Sequence, residues 1–122
     1  MLFRSHDLII HDTGFRIGYL RAVSHTMNCF ANESFMDELA LAAGKDPVEY
    51  RMSLISEPRL ANVLKMAAEA AGWGRKLPKG RALGVAVMEG YGTYQAQVAE
   101  VSVSGGNVKV HKVWVEIGRA HV

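Results

Sequence analysis

The side chains in this sequence that could support chemistry are five histidines, one cysteine, a short acidic run and a loop rich in small residues. His6, His11, His25, His111 and His121 are scattered. None stands four residues from another on a helix and no HExxH pattern occurs, so their spacing builds no metal site from protein side chains. Cys29, the only cysteine, can form neither an internal disulfide nor a cysteine-based zinc or iron–sulfur centre, and it reads as a small buried residue. Ser24 and His25 are adjacent, but a nucleophile and its base are matched by tertiary geometry, and no nucleophile elbow surrounds the serine, so a serine hydrolase gains little support. Glu33 and Asp37, with Glu38 beside them, stand four apart and could share a ligand. The plainer reading is a solvated helix flank near a helix start, where acids are favoured by the dipole. Gly90-Tyr91-Gly92 lacks the third glycine of a dinucleotide fingerprint and reads as a bulge or close approach within a sheet. The loop GYLRAVSHT, Gly18 to Thr26, lies between a strand and a helix start. Backbone N–H groups in such a place suit an anionic oxygen. On chemistry alone, an ordinary connection with a solvated Arg21 accounts for it more economically.

The elements that must position these residues divide into three stretches. Leu8–Ile10 reads as a strand, Asp12-Thr13-Gly14 as a turn, and Phe15–Arg21 as a second extended stretch leading into the loop. Residues 28–72 are helical. Phe35, Leu39 and Ala43, with Met36 and Ala40, form the expected inward stripe of a first helix that Gly44 stops. Asp46-Pro47-Val48-Glu49 starts a second helix with a capping residue, a proline at the first helical position and a capping-box glutamate. Pro58 opens a third, with Leu60, Leu64, Ala67 and Ala71 inward, Gly72 as its stop and Trp73 packing back. Residues 81–115 are β-rich: a strand Arg81–Met88, a flexible junction Glu89–Gly92, then a strand in which Ala99, Val101 and Val103 face one way and Glu100 and Ser102 the other. Ser104-Gly105-Gly106-Asn107 is a strong hairpin signal, and Val108–Val115 returns as the partner strand. The fold class is α+β, helices packed with a small antiparallel sheet.

Composition narrows the function class. With 122 residues, the chain is one small domain or a piece of a larger one, and marginal alone. A net charge of +2, thinly spread, gives no nucleic-acid surface. No apolar run is long enough for a membrane span, and Met1 to Ser5 shows no signal-peptide pattern, so Met1 reads as internal to a longer chain. Glu116 to Val122 reads EIGRAHV, the translation of a common sequencing adapter in one frame. The expected division is therefore 1–115 as protein and 116–122 as an adapter scar without fold information.

Taken together, LRAVSHTMNCFANESFMDELALAAGKDPVEYR (Leu20 to Arg51), Ala71-Gly72-Trp73-Gly74, the strand Gly84 to Glu89 and GTYQAQVAEV (Gly92 to Val101) resemble the large subunit of molybdenum hydroxylases. These form the xanthine dehydrogenase/aldehyde oxidase family, and the likeness is to its isoquinoline-oxidising branch, the beta chains of isoquinoline oxidoreductases. That branch writes its active-site loop Arg-Ser-Val-Gly-His, close to Arg21-Ala22-Val23-Ser24-His25. Ala22 and Ser24 depart from glycines of the wider family. The resemblance covers residues 8–115 and implies an internal fragment of a larger molybdopterin-binding domain. Such enzymes insert a water-derived oxygen into aldehydes or N-heterocycles. It implies molybdopterin cytosine dinucleotide as cofactor, iron–sulfur clusters on a small [2Fe-2S] partner subunit, and a small-molecule substrate. Residue by residue, it implies cofactor-binding by Arg21 and Ala22 and substrate-binding by Val23, Met88 and Glu89. Val23 stands where an aromatic residue often covers the substrate. The family's catalytic glutamate has no counterpart here, so no residue is assigned a catalytic role and the fragment alone is expected to be inactive. The alternative is a small non-catalytic α+β module that binds a partner through its sheet.

Overall fold

The computed structural model describes Gly14 and residues 21–119. The expected strand at Leu8–Ile10, nearly all of the stretch Phe15–Arg21, and His6, His11 and His121 lie outside the described residues. Three helices precede a three-stranded antiparallel sheet: α1 His25–Ala42, α2 Pro47–Leu54, α3 Pro58–Ala71, β1 Arg81–Gly90, β2 Thr93–Ser104 and β3 Asn107–Arg119. The strands lie in the order β1-β2-β3. The α+β expectation holds.

Local chemistry explains the helix ends. Asp46 Oδ1 accepts from the backbone N–H groups of Val48 and Glu49 at 2.8 and 3.1 Å, capping α2 just before Pro47. Its other oxygen accepts from the Trp73 indole N–H at 2.8 Å, which folds the end of α3 back against the start of α2. Gly72 closes α3 at φ 64°, a left-handed conformation that glycine takes without a Cβ penalty. The two hairpins are tight two-residue turns with positive φ at both central positions, Gly105-Gly106 and Tyr91-Gly92. The second replaces the flexible junction expected at Glu89–Gly92. β1 therefore runs on to Gly90. β3 in turn runs past Val115 and takes in the first residues of the adapter-like tail.

The core lies between α3 and one face of the sheet. Val63, Leu64, Ala67 and Ala71 meet Val85, Ala96 and Val98. Strand alternation decides which face is inward: Leu83, Val85 and Val87 of β1 lie opposite Glu100, Val98 and Ala96 of β2. Glu100 thus belongs to the buried face, and Ala99, Val101 and Val103 to the other. Glu100 is only 5% exposed. Its two oxygens accept from Arg75 and Arg81, each at 2.5 Å. Those two guanidinium groups hold its carboxyl below the usual carboxylate range, the Arg81 hydrogen bond most strongly. Gly118 packs so closely on α3 that a Cβ there would lie 2.9 Å from Val63 Cγ1.

A carboxylate whose folded value is depressed stabilises the fold above its ordinary value of 4.5 and loses that contribution as pH falls through the lower folded value. Acid unfolding followed by circular dichroism should therefore show a limb below the ordinary carboxylate range that Glu100→Gln removes. An unchanged acid limb in the variant would exclude this role.

Candidate functional site

Helix α1 turns inward a face that is only partly the expected one. Met36, Leu39 and Ala40 of the expected stripe are half-buried or, for Ala40, fully buried, and His25, Cys29, Glu33 and Asp37, spaced four residues apart, extend that face with polar groups. Phe35, expected in the core, is 47% exposed, and Met27, Phe30 and Leu41 point outward. Glu33 and Asp37 are therefore not a solvated flank. They converge on Arg51 of α2, which is 1% exposed. Arg51 Nε donates to Glu33 Oε2 at 2.9 Å, Nη2 to the Glu33 carbonyl at 2.9 Å, and Nη1 to the Pro47 carbonyl at 3.1 Å. Nη1 also lies 2.7 Å from Asp37 Oδ1, an ion-pair contact not aligned as a hydrogen bond. Glu33 Oε2 accepts a second bond, from the Val87 backbone N–H at 2.8 Å. One carboxylate oxygen thus fastens α1 both to α2 and to the outer edge of β1.

That attachment sets a cleft between the start of α1 and the far half of β1. Two hollows of about 260 and 280 Å³ share His25, Cys29, Val87 and Met88 as walls. The first also takes in Ala22, Thr26, Ala86, Gln95 and Gln97. Met88 lies opposite Gln95 and Ala86 opposite Gln97 in the strand register, so these four share the sheet face turned away from α3. The second hollow adds Asn28, Asn32, Glu33 and Glu89. Of the residues singled out in the sequence, Ala22, Met88 and Glu89 are thereby brought together. Arg21 and Val23 sit on the same loop, exposed, and line neither hollow. His25, Cys29, Gln95 and Gln97 were not assigned from sequence. The i, i+4 step from His25 through Cys29 to Glu33 was the one signal that could have grouped three of these residues.

The loop itself is left-handed. Arg21, Ala22 and Val23 have φ of 21°, 59° and 51°. The conformation costs L-residues about 1–2 kcal/mol each, and most for a β-branched side chain such as Val23. The Ala22 carbonyl then accepts from His25 N–H at 2.9 Å as α1 begins. Burial pushes the Cys29 thiol up from its usual value, and the Glu33 carboxylate adds to this.

The chain is similar to a nicotinate dehydrogenase subunit of Pseudomonas putida, 52% identical over 58 residues, which cover 48% of this chain and 5% of that protein. It is 33% identical over 108 residues to the beta chain of isoquinoline 1-oxidoreductase from Brevundimonas diminuta, covering 82% of this chain and 14% of the relative. A membrane-bound aldehyde dehydrogenase of Gluconacetobacter polyoxogenes, whose name specifies pyrroloquinoline quinone, is 32% identical over 123 aligned residues, covering 83% and 16%. The chain belongs to the molybdenum hydroxylase family. It spans a small part of the length of these family members, all of which are named as oxidoreductases. Their names agree on oxidation, and only the third specifies a cofactor. No family model matches the chain, and no solved structure matches it significantly. Among the described residues, no group of three or more His, Cys, Asp or Glu could hold a metal ion, and no helix is long and apolar enough to cross a membrane.

Two consequences can be measured. Arg51→Met leaves Glu33 charged and half-buried without its partner, which should lower stability by about 3 kcal/mol in denaturant titration; a loss below about 1 kcal/mol, the scale of a surface pair, would mean the network does not hold α1. The alkylation rate of Cys29 should rise with pH later than that of a free thiol, and Glu33→Gln should bring the profile back toward it. A profile matching the free thiol in the unmutated chain would contradict the cleft's burial of the sulfur.

Proposed function

We propose that the chain is an internal segment of the catalytic large subunit of a molybdenum-dependent oxidoreductase. The enzyme would hydroxylate aldehydes or N-heterocycles with oxygen derived from water. The observation that carries this reading is the cleft in which Ala22, from the loop before α1, meets Met88 and Glu89 at the end of β1. These are the two places where the family resemblance puts cofactor and substrate contacts.

In this reading Arg21 and Ala22 hold molybdopterin cytosine dinucleotide through the backbone of their left-handed turn. Alanine at φ 59° there occupies a conformation that glycine takes more cheaply, in keeping with the glycines of the wider family. The bound cofactor supplies the two-electron redox chemistry, which protein side chains cannot. The chain's own residues shape the space beside it. Val87, Ala86 and Met88 give an apolar floor that keeps bulk water from the substrate, and Val23 stands at the loop as a further substrate contact. Thr26, Gln95 and Gln97 offer hydrogen-bond donors and acceptors that orient it. Glu89, exposed at the rim, can accept from a polar group on the substrate. Electrons leave through iron–sulfur clusters on a small [2Fe-2S] partner subunit. Residues 116–122 are adapter sequence foreign to the enzyme. Glu116, on the inward side of β3 opposite the fully buried Ala96, stands where strand alternation calls for an apolar residue.

The deciding measurement is made on the full-length subunit, expressed with its partner in a host that makes the molybdenum cofactor. Metal analysis should find molybdenum in stoichiometric amount, together with aldehyde- or N-heterocycle-dependent dye reduction. A purified, folded enzyme that carries no molybdenum, or that carries a quinone in its place, would overturn the proposal.

A further inference from the structure

We infer that the His25 ring, set in place by Tyr91, is the wall against which a planar N-heteroaromatic substrate packs, so that the site favours flat rings over aliphatic aldehydes. The inference rests on the proposed function for the identity of the cleft, and on separate observations for the choice of ring.

His25 is a wall of both hollows, and the apolar strand residues Ala86 and Met88 line the first with it. Its ring is held from two sides. A Cβ at Gly90 would lie 3.5 Å from His25 Cε1 and Nε2, so the imidazole lies over the end of β1 where a side chain at that position would touch it. Tyr91 meets it edge to face, with centroids 5.0 Å apart and planes at 74°. Tyr91 does this from φ 53°, a conformation that a bulky residue adopts only at a cost, while 77% exposed. Burial of the tyrosine cannot offset that cost, and what its ring meets is the imidazole it orients. Val23, at the position where an aromatic residue often stands, has no π-face to offer. Among the residues lining the two hollows, His25 alone provides an aromatic plane.

The opposite wall suits the same guest. The Met88 thioether is a favourable neighbour for an aromatic edge. The amides of Gln95 and Gln97 can each donate to a ring nitrogen or accept from a ring N–H. A hollow of about 260 Å³ lies near the small end of ligand sites, which fits a one- or two-ring molecule. An aliphatic aldehyde would leave the imidazole face without a partner.

The test uses the full-length enzyme with quinoline and propanal as alternative substrates, and the bicyclic lactam formed by hydroxylating quinoline as a binding probe. His25→Ala should lower the quinoline-to-propanal ratio of kcat/KM by about 5-fold, mainly through KM, and weaken lactam binding by a similar factor, the size expected of one aromatic pair. His25→Phe should restore most of both, and Tyr91→Ala should fall between. Equal losses on the two substrates, or a phenylalanine variant as poor as the alanine one, would overturn the inference and leave His25 a structural residue. If the unmutated enzyme oxidises neither substrate but binds the lactam in a His25-dependent way, the proposed function fails and the aromatic wall stands. If it oxidises both and His25→Ala leaves the ratio unchanged, only the wall fails.

Discussion

The position of α1, and with it one side of the cleft, depends on a guanidinium group taken out of water. Arg51 is 1% exposed and meets two carboxylates and two backbone carbonyls. A buried cation is tolerated only when its donors are matched, and here nearly every match leads to α1 or to the first turn of α2. The hydrophobic effect cannot do this work. Beside Met36, Leu39 and Ala40, the inward face of α1 offers Cys29, Glu33 and Asp37 where a helix packed by burial alone would offer leucines, and Met27, Phe30, Phe35 and Leu41 are exposed. Glu33 Oε2 carries the arrangement on to the sheet by accepting the Val87 N–H, a group that an edge strand would otherwise leave to water. Geometry so specified resists sliding. An apolar interface can repack by a fraction of an ångström, whereas a shared carboxylate oxygen with two donors has one good position. Val87 and Met88 are neighbours, so the bond that anchors α1 also fixes the distance across the cleft.

The sheet and α3 are organised on the other principle. Their contact is apolar, closed by small alanines on α3 that let the helix lie close to β2, and rimmed by the Glu100–Arg75–Arg81 group. The opposite face of the sheet has no such cover. Val103, Val108, Val110, Val113, Val115 and Ile117 are between 44% and 68% exposed, and strand register puts them side by side. On α1, Met27, Phe30 and Leu41 form a second exposed stripe. Surfaces of this extent are rare on a monomer of this size. Within the proposed subunit they are faces that neighbouring parts of a longer polypeptide would bury. The cleft opens on the same side of the sheet, so a site completed there would take its remaining walls from those parts.

Sequence pattern carried α3, the Asp46 cap, the Gly72 stop and the Gly105-Gly106 hairpin, because each rests on local chemistry that a few adjacent residues specify. On α1 it found Met36, Leu39 and Ala40 but missed the polar part of the inward face, because periodicity was sought in apolar residues. Glu33 could be recognised as largely buried, and Asp37 as paired, only with their counter-ion, and Arg51 lies on another helix. The pairing of Glu100 was hidden for the same reason, since Arg75 and Arg81 precede it by a turn and a strand. The Tyr91-Gly92 turn escaped because tyrosine is a poor residue for a left-handed position. For the cleft, family resemblance singled out Ala22, Met88 and Glu89. His25, Cys29, Gln95 and Gln97 join them only through the fold, which brings a helix start beside the middle of a hairpin.

The distribution of strain supplies an independent reason to place function at this cleft. Four non-glycine residues among those described have positive φ: Arg21, Ala22, Val23 and Tyr91. Glycine or asparagine at any of them would be cheaper. None lies in the α3–sheet core, at the Gly105 hairpin or at the ends of α2 and α3, where the chain uses glycine or ordinary conformations for the same kinds of turn. Three make up the loop that leads into His25, and the fourth touches the His25 ring. Strain scattered over a surface would be a neutral accident. Strain confined to the two segments on either side of one histidine requires something that holds it there: of the strained residues, Ala22 lines the cleft and Tyr91 touches the ring that lines it.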